Sequence, residues 1–358
     1  MTSSLRMFLG SVLLISMLGC MPQESAEMPQ KETYPSDPPT VARLGKLGAK
    51  IARSSAGEPI GMDLSRVIAT DVDFRGLGDA VSLRKLTMQD VGMTDASATE
   101  LAKLKKLQTL DLRGVSITGE ALQSIGQLTE LERLLFRGQP IRDADLQQLV
   151  PLTKLKVLGL DETEASAAGL EQLAGASQLK EVFLFRTPTG DDDLAALTKF
   201  PALAKLRLRG SEVAGQGMAH LAKIPTLVDL DVSETAVDDA GAAEIAKLSN
   251  LKDLNLWKTK ITDAAIPELA KLESIERLNL DANELTDEHL ALLAELPNLK
   301  WLHLGSTGAT DAGILPLAKS KSLETLIVTR TKVTDEGAAA FSAAAPNIAI
   351  QHIYMVEE

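Results

Sequence analysis

From Leu83 onward one hydrophobic signature recurs: an apolar residue, two variable positions, a second apolar residue, one variable position, and a third apolar residue. Units begin at Leu83, Leu107, Leu131, Leu155, Leu179, Leu203, Leu227, Leu251, Ile275, Leu299 and Leu323, each 24 residues after the last. Counting the first residue of a unit as position 1, positions 1, 4 and 6 are apolar in all eleven. Positions 2–8 alternate as a short strand does, which turns 1, 4 and 6 inward and 3, 5 and 7 outward. Position 9 is usually Thr (Thr163, Thr187, Thr235, Thr259, Thr307, Thr331), with Ser211 and Asn283 as variants. A short polar side chain at that bend can bond backbone groups the turn leaves unpaired. Position 13 is Asp in eight units: Asp95, Asp143, Asp191, Asp239, Asp263, Asp287, Asp311 and Asp335. With Thr often before it, this predicts a helix start, capped and carrying a negative charge at the positive end of the dipole. Apolar positions 16, 19 and 22 follow at helical spacing, and position 20 is usually Ala, as in Ala222, Ala246, Ala270 and Ala294.

One such unit cannot bury its apolar face alone, so the units must stack. Parallel strands lie about 4.8 Å apart, which makes eleven units roughly 50 Å long on the sheet side. Helices are wider, at about 10 Å, so the strands take the concave side and the helices the convex side. The expected fold is therefore an α/β solenoid, a horseshoe with a parallel inner sheet. The motif L-x-x-L-x-L-x-x-T-x-I-T-D, seen at residues 251–263, resembles the leucine-rich repeat with Thr where Asn is more usual. It is similar to the class with helices on the convex side, and to bacterial leucine-rich repeat lipoproteins in particular. That resemblance covers about 59–358 and implies recognition of a protein or peptide partner on the concave face.

The ends of the chain read differently. Residues 1–19 carry Arg6 and then an apolar run from Met7 to Gly19. The run is too short for a membrane span and suits a signal-peptide core. Its end, Met17-Leu18-Gly19-Cys20, resembles the lipobox of bacterial lipoproteins. That resemblance implies cleavage before Cys20, the only cysteine, and lipidation of its thiol; the alternative is a plain secretory signal. Met21 follows Cys20 in place of the Asp that resembles an inner-membrane retention signal, which favours the outer membrane within the cell envelope. Residues 20–40 are rich in Pro, Glu, Ser and Gln and read as a tether. Over 41–82 come a capping helix (41–58, with Val41, Leu44, Leu47 and Ile51 on one face) and a degenerate repeat. The eleven repeats fill 83–346, and 347–358 supplies a C-terminal edge strand ending in Glu357 and Glu358.

Composition narrows the function. The net charge is −12 and the pI near 5.0, which argues against nucleic acid as a partner. A single cysteine and four scattered histidines give no disulfide and no metal-ligand spacing. The position-13 aspartates follow the helix starts, so capping accounts for them without calcium, and no cofactor is expected. His303 has no nucleophile at a motif spacing, and no G-x-S-x-G occurs, so no catalysis is expected.

Aromatic residues make up 3% of the chain, which gives weight to those at outward positions 3, 5 and 7: Phe183, Phe185, Trp257 and Trp301. Beside them stand Arg207, Arg209, Asp229, Asp231 and His303. Aromatic anchors next to Arg and Asp have the composition of interface centres; the competing reading is aromatic rings packed under long neighbouring side chains. Arg207 and Arg209, with Lys205, lie one strand from Asp229 and Asp231. They either neutralise one another across strands or present a bipolar surface. Arg133 and Arg137 form a second, smaller basic spot, read as solvated.

Overall fold

A computed structural model describes residues 37–353 apart from Arg66. The expected signal peptide, Cys20, nearly all of the tether, and Glu357 and Glu358 lie outside the described residues. The described strands form one fourteen-stranded sheet in strict chain order. After the first pair every pairing is parallel and joins residues about 24 apart, as in Leu254 with Leu278 and Leu278 with Leu302. Positions 1, 4 and 6 are buried throughout, and with positions 16 and 19 they form one continuous aliphatic core.

The N-terminal end departs from expectation. Helix α1 spans Pro39–Leu47 only, and Gly48 ends it at φ 110°, a conformation that suits glycine. Strands β1 (Lys50–Arg53) and β2 (Pro59–Asp63) then make an antiparallel hairpin, with Ile51 opposite Met62. Ile51 therefore belongs to a strand, and Leu47 is 44% exposed. The helical spacing of Val41, Leu44, Leu47 and Ile51 runs through Gly48, where the left-handed backbone breaks the helix. The hairpin covers the edge of the sheet with a strand rather than a helix. The cap also takes residues assigned to the tether: Asp37 holds Arg53 in a two-pronged ion pair of 2.6 and 2.7 Å. At the other end a parallel strand, Ala349–Gln351, closes the sheet.

Before the last unit, whose Asp335–Ala344 is a ten-residue α-helix, the convex segments are shorter than regular helices. Four-residue α-turns such as Asp95–Ala98 and Met218–Leu221 alternate with 3-10 segments such as Asp143–Leu149 and Asp192–Lys199. A 3-10 segment rises about 2.0 Å per residue against 1.5 Å in an α-helix, so it covers the return path with the few residues a 24-residue unit leaves.

Position 9 behaves as expected: the Thr163, Thr235 and Thr307 hydroxyls donate to the position-6 carbonyls Leu160, Val232 and Leu304 at 2.6–2.7 Å. Position 13 does not. Where position 12 is Thr, its hydroxyl is the cap and accepts from a backbone N–H, as Thr262 does from Ala264. The aspartate instead reaches the following unit. Asp239 accepts from the Thr262 N–H and hydroxyl, both at 2.7 Å, and Asp287 accepts from the Thr310 N–H and hydroxyl at 2.7 and 2.6 Å. The ladder is thus a row of staples between units. In the last unit Asp335 meets His352 at 3.0 Å instead.

Two hydrogen-bonded carboxylates, Asp71 and Asp111, make stability sensitive to acid. For Asp71, burial raises the carboxyl pKa, but hydrogen bonds from Thr94 and Ser97 outweigh it and hold the group below its usual 3.8. Asp111 is likewise held low, its burial outweighed by Arg113 and Gln89. A depressed carboxyl adds stability that is complete above the unfolded pKa of about 3.9 and is lost as pH falls through the folded value. The urea midpoint should therefore drop below about pH 4. In Asp71→Asn the drop should be shallower; an unchanged slope would remove Asp71 from the acid response.

Candidate functional site

The concave surface is built by outward positions 3, 5 and 7 and by one position the sequence reading omitted. The residue at position 8 is left-handed in all eleven units, with φ between 50° and 80°. Only Gly114, Gly138 and Gly210 among them are glycine. The stack imposes this conformation: the position-8 N–H donates to the next unit's position-7 carbonyl, as Glu234 does to Trp257 and Lys258 to Asp281, both at 2.9 Å. The turn places Glu162, Arg186, Glu234 and Lys258 within reach of the sheet surface.

The aromatic rings are not bare. Arg209 lies 5.4 Å from the Phe185 ring centre and 4.9 Å from that of Trp257. These three residues occupy position 7 of units 179, 203 and 251; unit 227, between the last two, contributes only Ser233, which is fully buried. The small side chain lets the guanidinium and the indole meet above it. Glu234 accepts from Arg209 Nε at 2.8 Å and from Lys258 at 3.4 Å, and the Arg209 bond is the main cause holding its carboxyl below the usual range. Arg207 lies over Phe183 at 5.3 Å, and Arg277 over Trp301 at 4.4 Å. Trp301 also meets His303 edge-on, 5.6 Å between ring centres. Burial pushes the His303 imidazole below its usual 6.5 against the pull of Asp281.

The charged residues pair selectively. Lys205 binds Asp229, its register neighbour. Asp253 lies beside Asp229 in register and binds Arg277 at 3.2 Å. Burial first, and Asp229 second, raise the Asp253 carboxyl. Asp231 turns to the N–H and hydroxyl of Ser233, at 3.0 and 2.6 Å, and Arg209 goes to Glu234 instead. Among the described residues no carboxylate lies within 4.0 Å of Arg207.

Arg133 and Arg207 flank one hollow: between them unit 155 presents Val157, Gly159 and Asp161 and unit 179 presents Glu181 and Phe183, while Arg137 is held apart by Glu162 at 3.0 Å. A cavity of about 420 Å³ opens there over Leu135 and Phe183, with Arg113, Arg133, Lys205 and Arg207 around it. Burial raises the Asp161 carboxyl although the Phe185 N–H and Arg137, Arg207 and Arg113 oppose it. The sequence signal for this hollow is the glycine at position 5 of unit 155.

The sequence family described as "Leucine-rich repeat region" matches residues 62–346. This chain is a leucine-rich repeat protein. No curated protein matches it in sequence. Among solved structures, an internalin of Listeria monocytogenes is similar over 89% of this chain and 94% of its own, at 19% identity and a TM-score of 0.61. A leucine-rich repeat protein of Leptospira interrogans is similar over 79% and 81%, at 18% identity and a TM-score of 0.55. The Arabidopsis receptor kinase HAESA ectodomain, solved with a peptide hormone ligand, is similar over 78% of this chain and 48% of its own, at 18% identity and a TM-score of 0.55. At these identities the likeness extends to the fold. Within the leucine-rich repeat protein, the nine residues singled out by sequence fall into two groups. Phe183, Phe185, Arg207, Arg209, Asp229, Asp231 and Trp257 are spread over four consecutive units, whereas Trp301 and His303 stand two strands further along, linked to the rest through Arg277 and Asp253.

Proposed function

We propose that this leucine-rich repeat protein is a non-enzymatic, lipid-anchored protein of the bacterial cell envelope whose concave sheet binds a protein or peptide partner. The observation that carries this reading is the row Phe185–Arg209–Trp257, a guanidinium set between two rings and fixed by Glu234. Rings and guanidinium groups held in place by neighbours lose little freedom on binding, which is how preorganised surfaces gain affinity. The HAESA ectodomain, of the same fold, was solved with a peptide ligand. Cys20 supplies the anchor by its resemblance to a lipobox cysteine, and the outer membrane is the favoured location.

A competing reading has its own observation. Most cations on this face already hold a carboxylate or a ring, as a spacer without a ligand would. One experiment separates the two. The chain from residue 21 onward is used to capture partners from envelope extract, beside a Phe183/Trp257/Trp301 triple alanine variant. We expect a discrete partner that the variant loses; equal recovery by both would move the site to the convex face or the tether, and no partner for either supports the spacer. The anchor is tested apart: the full chain should fractionate with membranes and Cys20→Ala should release it. A Cys20→Ala chain that stays membrane-bound would refute lipidation.

A further inference from the structure

Resting on the concave-face reading, we propose that the cavity over Leu135 and Phe183 takes an aliphatic residue of an extended partner segment, whose flanking acidic side chains bind Arg133 and Arg207. Leu135, Gly159 and Phe183 lie in register across three neighbouring strands. A Cβ on Gly159 would sit 2.9 Å from Leu135 Cδ2 and 3.6 Å from Phe183 Cδ2, so the two side chains close over it and make a continuous apolar floor. At about 4.8 Å per strand the floor is roughly 10 Å wide, the span of one or two side chains.

The cations around this floor are not equally committed. Arg113 is held by both oxygens of Asp111, at 2.9 and 2.7 Å, and Lys205 by Asp229. Arg133 approaches Glu181 only at 3.8 Å. Arg207 rests on Phe183 with no carboxylate within 4.0 Å among the described residues. These two guanidinium groups, on opposite sides of the floor, keep donors free for planar, two-pronged partners, and a carboxylate is the side-chain group that matches them. A continuous polyanion fits less well, because Asp161 and Glu181 also line the cavity and would meet its charges.

The test is fluorescence anisotropy on the full-length chain. The probe is an N-terminally labelled, C-terminally amidated peptide alternating Glu and Leu, Glu-Leu-Glu-Leu-Glu-Leu-Glu. We expect saturable binding, weakened about tenfold when Gln replaces Glu and about as much when Ser replaces Leu. Arg207→Ala and Arg133→Ala, both at exposed or half-exposed side chains, should each weaken binding about fivefold without moving the thermal midpoint, while Lys332→Ala changes nothing. No binding of the Glu/Leu peptide overturns the proposal. So does equal binding of the Gln peptide, or competition by inorganic polyphosphate or oligo-dT as strong as that by unlabelled peptide. If the Gln peptide binds equally and the Phe183/Trp257/Trp301 variant loses it, the acidic preference fails while the concave-face reading stands. If the triple variant binds every peptide as well as the unaltered chain does, both fail.

Discussion

Gly313→Ala should destabilise the array by about 2–4 kcal/mol, and the cause lies in the preceding unit. A Cβ at Gly313 would stand 2.0 Å from Asp287 Oδ1 and 3.0 Å from its Cα. Asp287 would have to swing out and abandon the Thr310 N–H and hydroxyl, which it holds at 2.7 and 2.6 Å. The chain already contains the compensating arrangement. At two of the three units where position 13 is small, Gly119 and Ala167, position 15 of the next unit is an aspartate, Asp145 and Asp193; after the third, Gly215, position 15 is Gly241 and Asp238 at position 12 accepts from its N–H. The two aspartates at position 15 take over the same task from within their own unit, Asp145 accepting from the Arg142 N–H and Asp193 from the Gly190 N–H, both at 2.8 Å. Each position-12 N–H in these pairs is thus served by a carboxylate from one side or the other, and the side chain that yields is small. The exchange Asp287→Gly with Gly313→Asp should therefore recover most of the stability that Gly313→Ala loses. Urea denaturation of the single and exchanged variants measures this. Recovery no better than in Gly313→Asp alone would show that the two arrangements are not interchangeable.

Asn283→Leu should cost about 2–4 kcal/mol, whereas Thr307→Val at the equivalent position should cost about 1 kcal/mol. The difference comes from how far each side chain reaches. Thr307 donates to one carbonyl, that of Leu304 in its own unit. Asn283, 6% exposed, joins two units: its amide donates to Leu256 and Leu280 at 2.8 and 3.0 Å, and its Oδ1 accepts from the Thr259 N–H at 3.0 Å and hydroxyl at 2.9 Å. Leucine would leave the Leu280 carbonyl and the Thr259 N–H short of partners inside the stack, while the Leu256 carbonyl would keep only the Thr259 hydroxyl; an unmet buried group costs more than a bond gains. Amide exchange gives the local readout: the Thr259 N–H should exchange faster in Asn283→Leu and be unaffected in Thr307→Val. Equal effects on both the midpoint and this amide would mean that Asn283 acts only within its own unit.

Both predictions concern contacts that a linear reading could place but not assign. The aspartates at position 13 were visible as a row, and a helix cap was the simplest chemistry for a carboxylate beside a threonine. The actual acceptor geometry of Asp287 depends on the residue 26 positions on, Gly313, leaving it room to reach Thr310, a relation that crosses units and has no signature within one. The N-terminal cap failed for the opposite reason. There the local pattern of Val41, Leu44, Leu47 and Ile51 looked helical, and Gly48 was counted as a spacer although it ends the helix. At the concave face, the outward row was legible, including every residue picked for it. The pairing was not: Arg209 has Asp231 one strand away, yet it goes to Glu234 and Trp257 because Ser233 is too small to intervene and itself occupies Asp231.

The sequence by itself determined the solenoid, its 24-residue step, and which side chains face the core and which the open sheet. It could do so because each neighbour is a copy displaced by one strand spacing, so a single period dictates every inward contact. Tertiary structure decided the left-handed turn at position 8, the partner of each arginine, and the hollow that Arg133 and Arg207 share across Gly159 and Phe183. Several partners lie within reach of each long side chain on that face. The choice among them follows from the size of the residue between and the backbone angle before it, which exist only once the units are stacked.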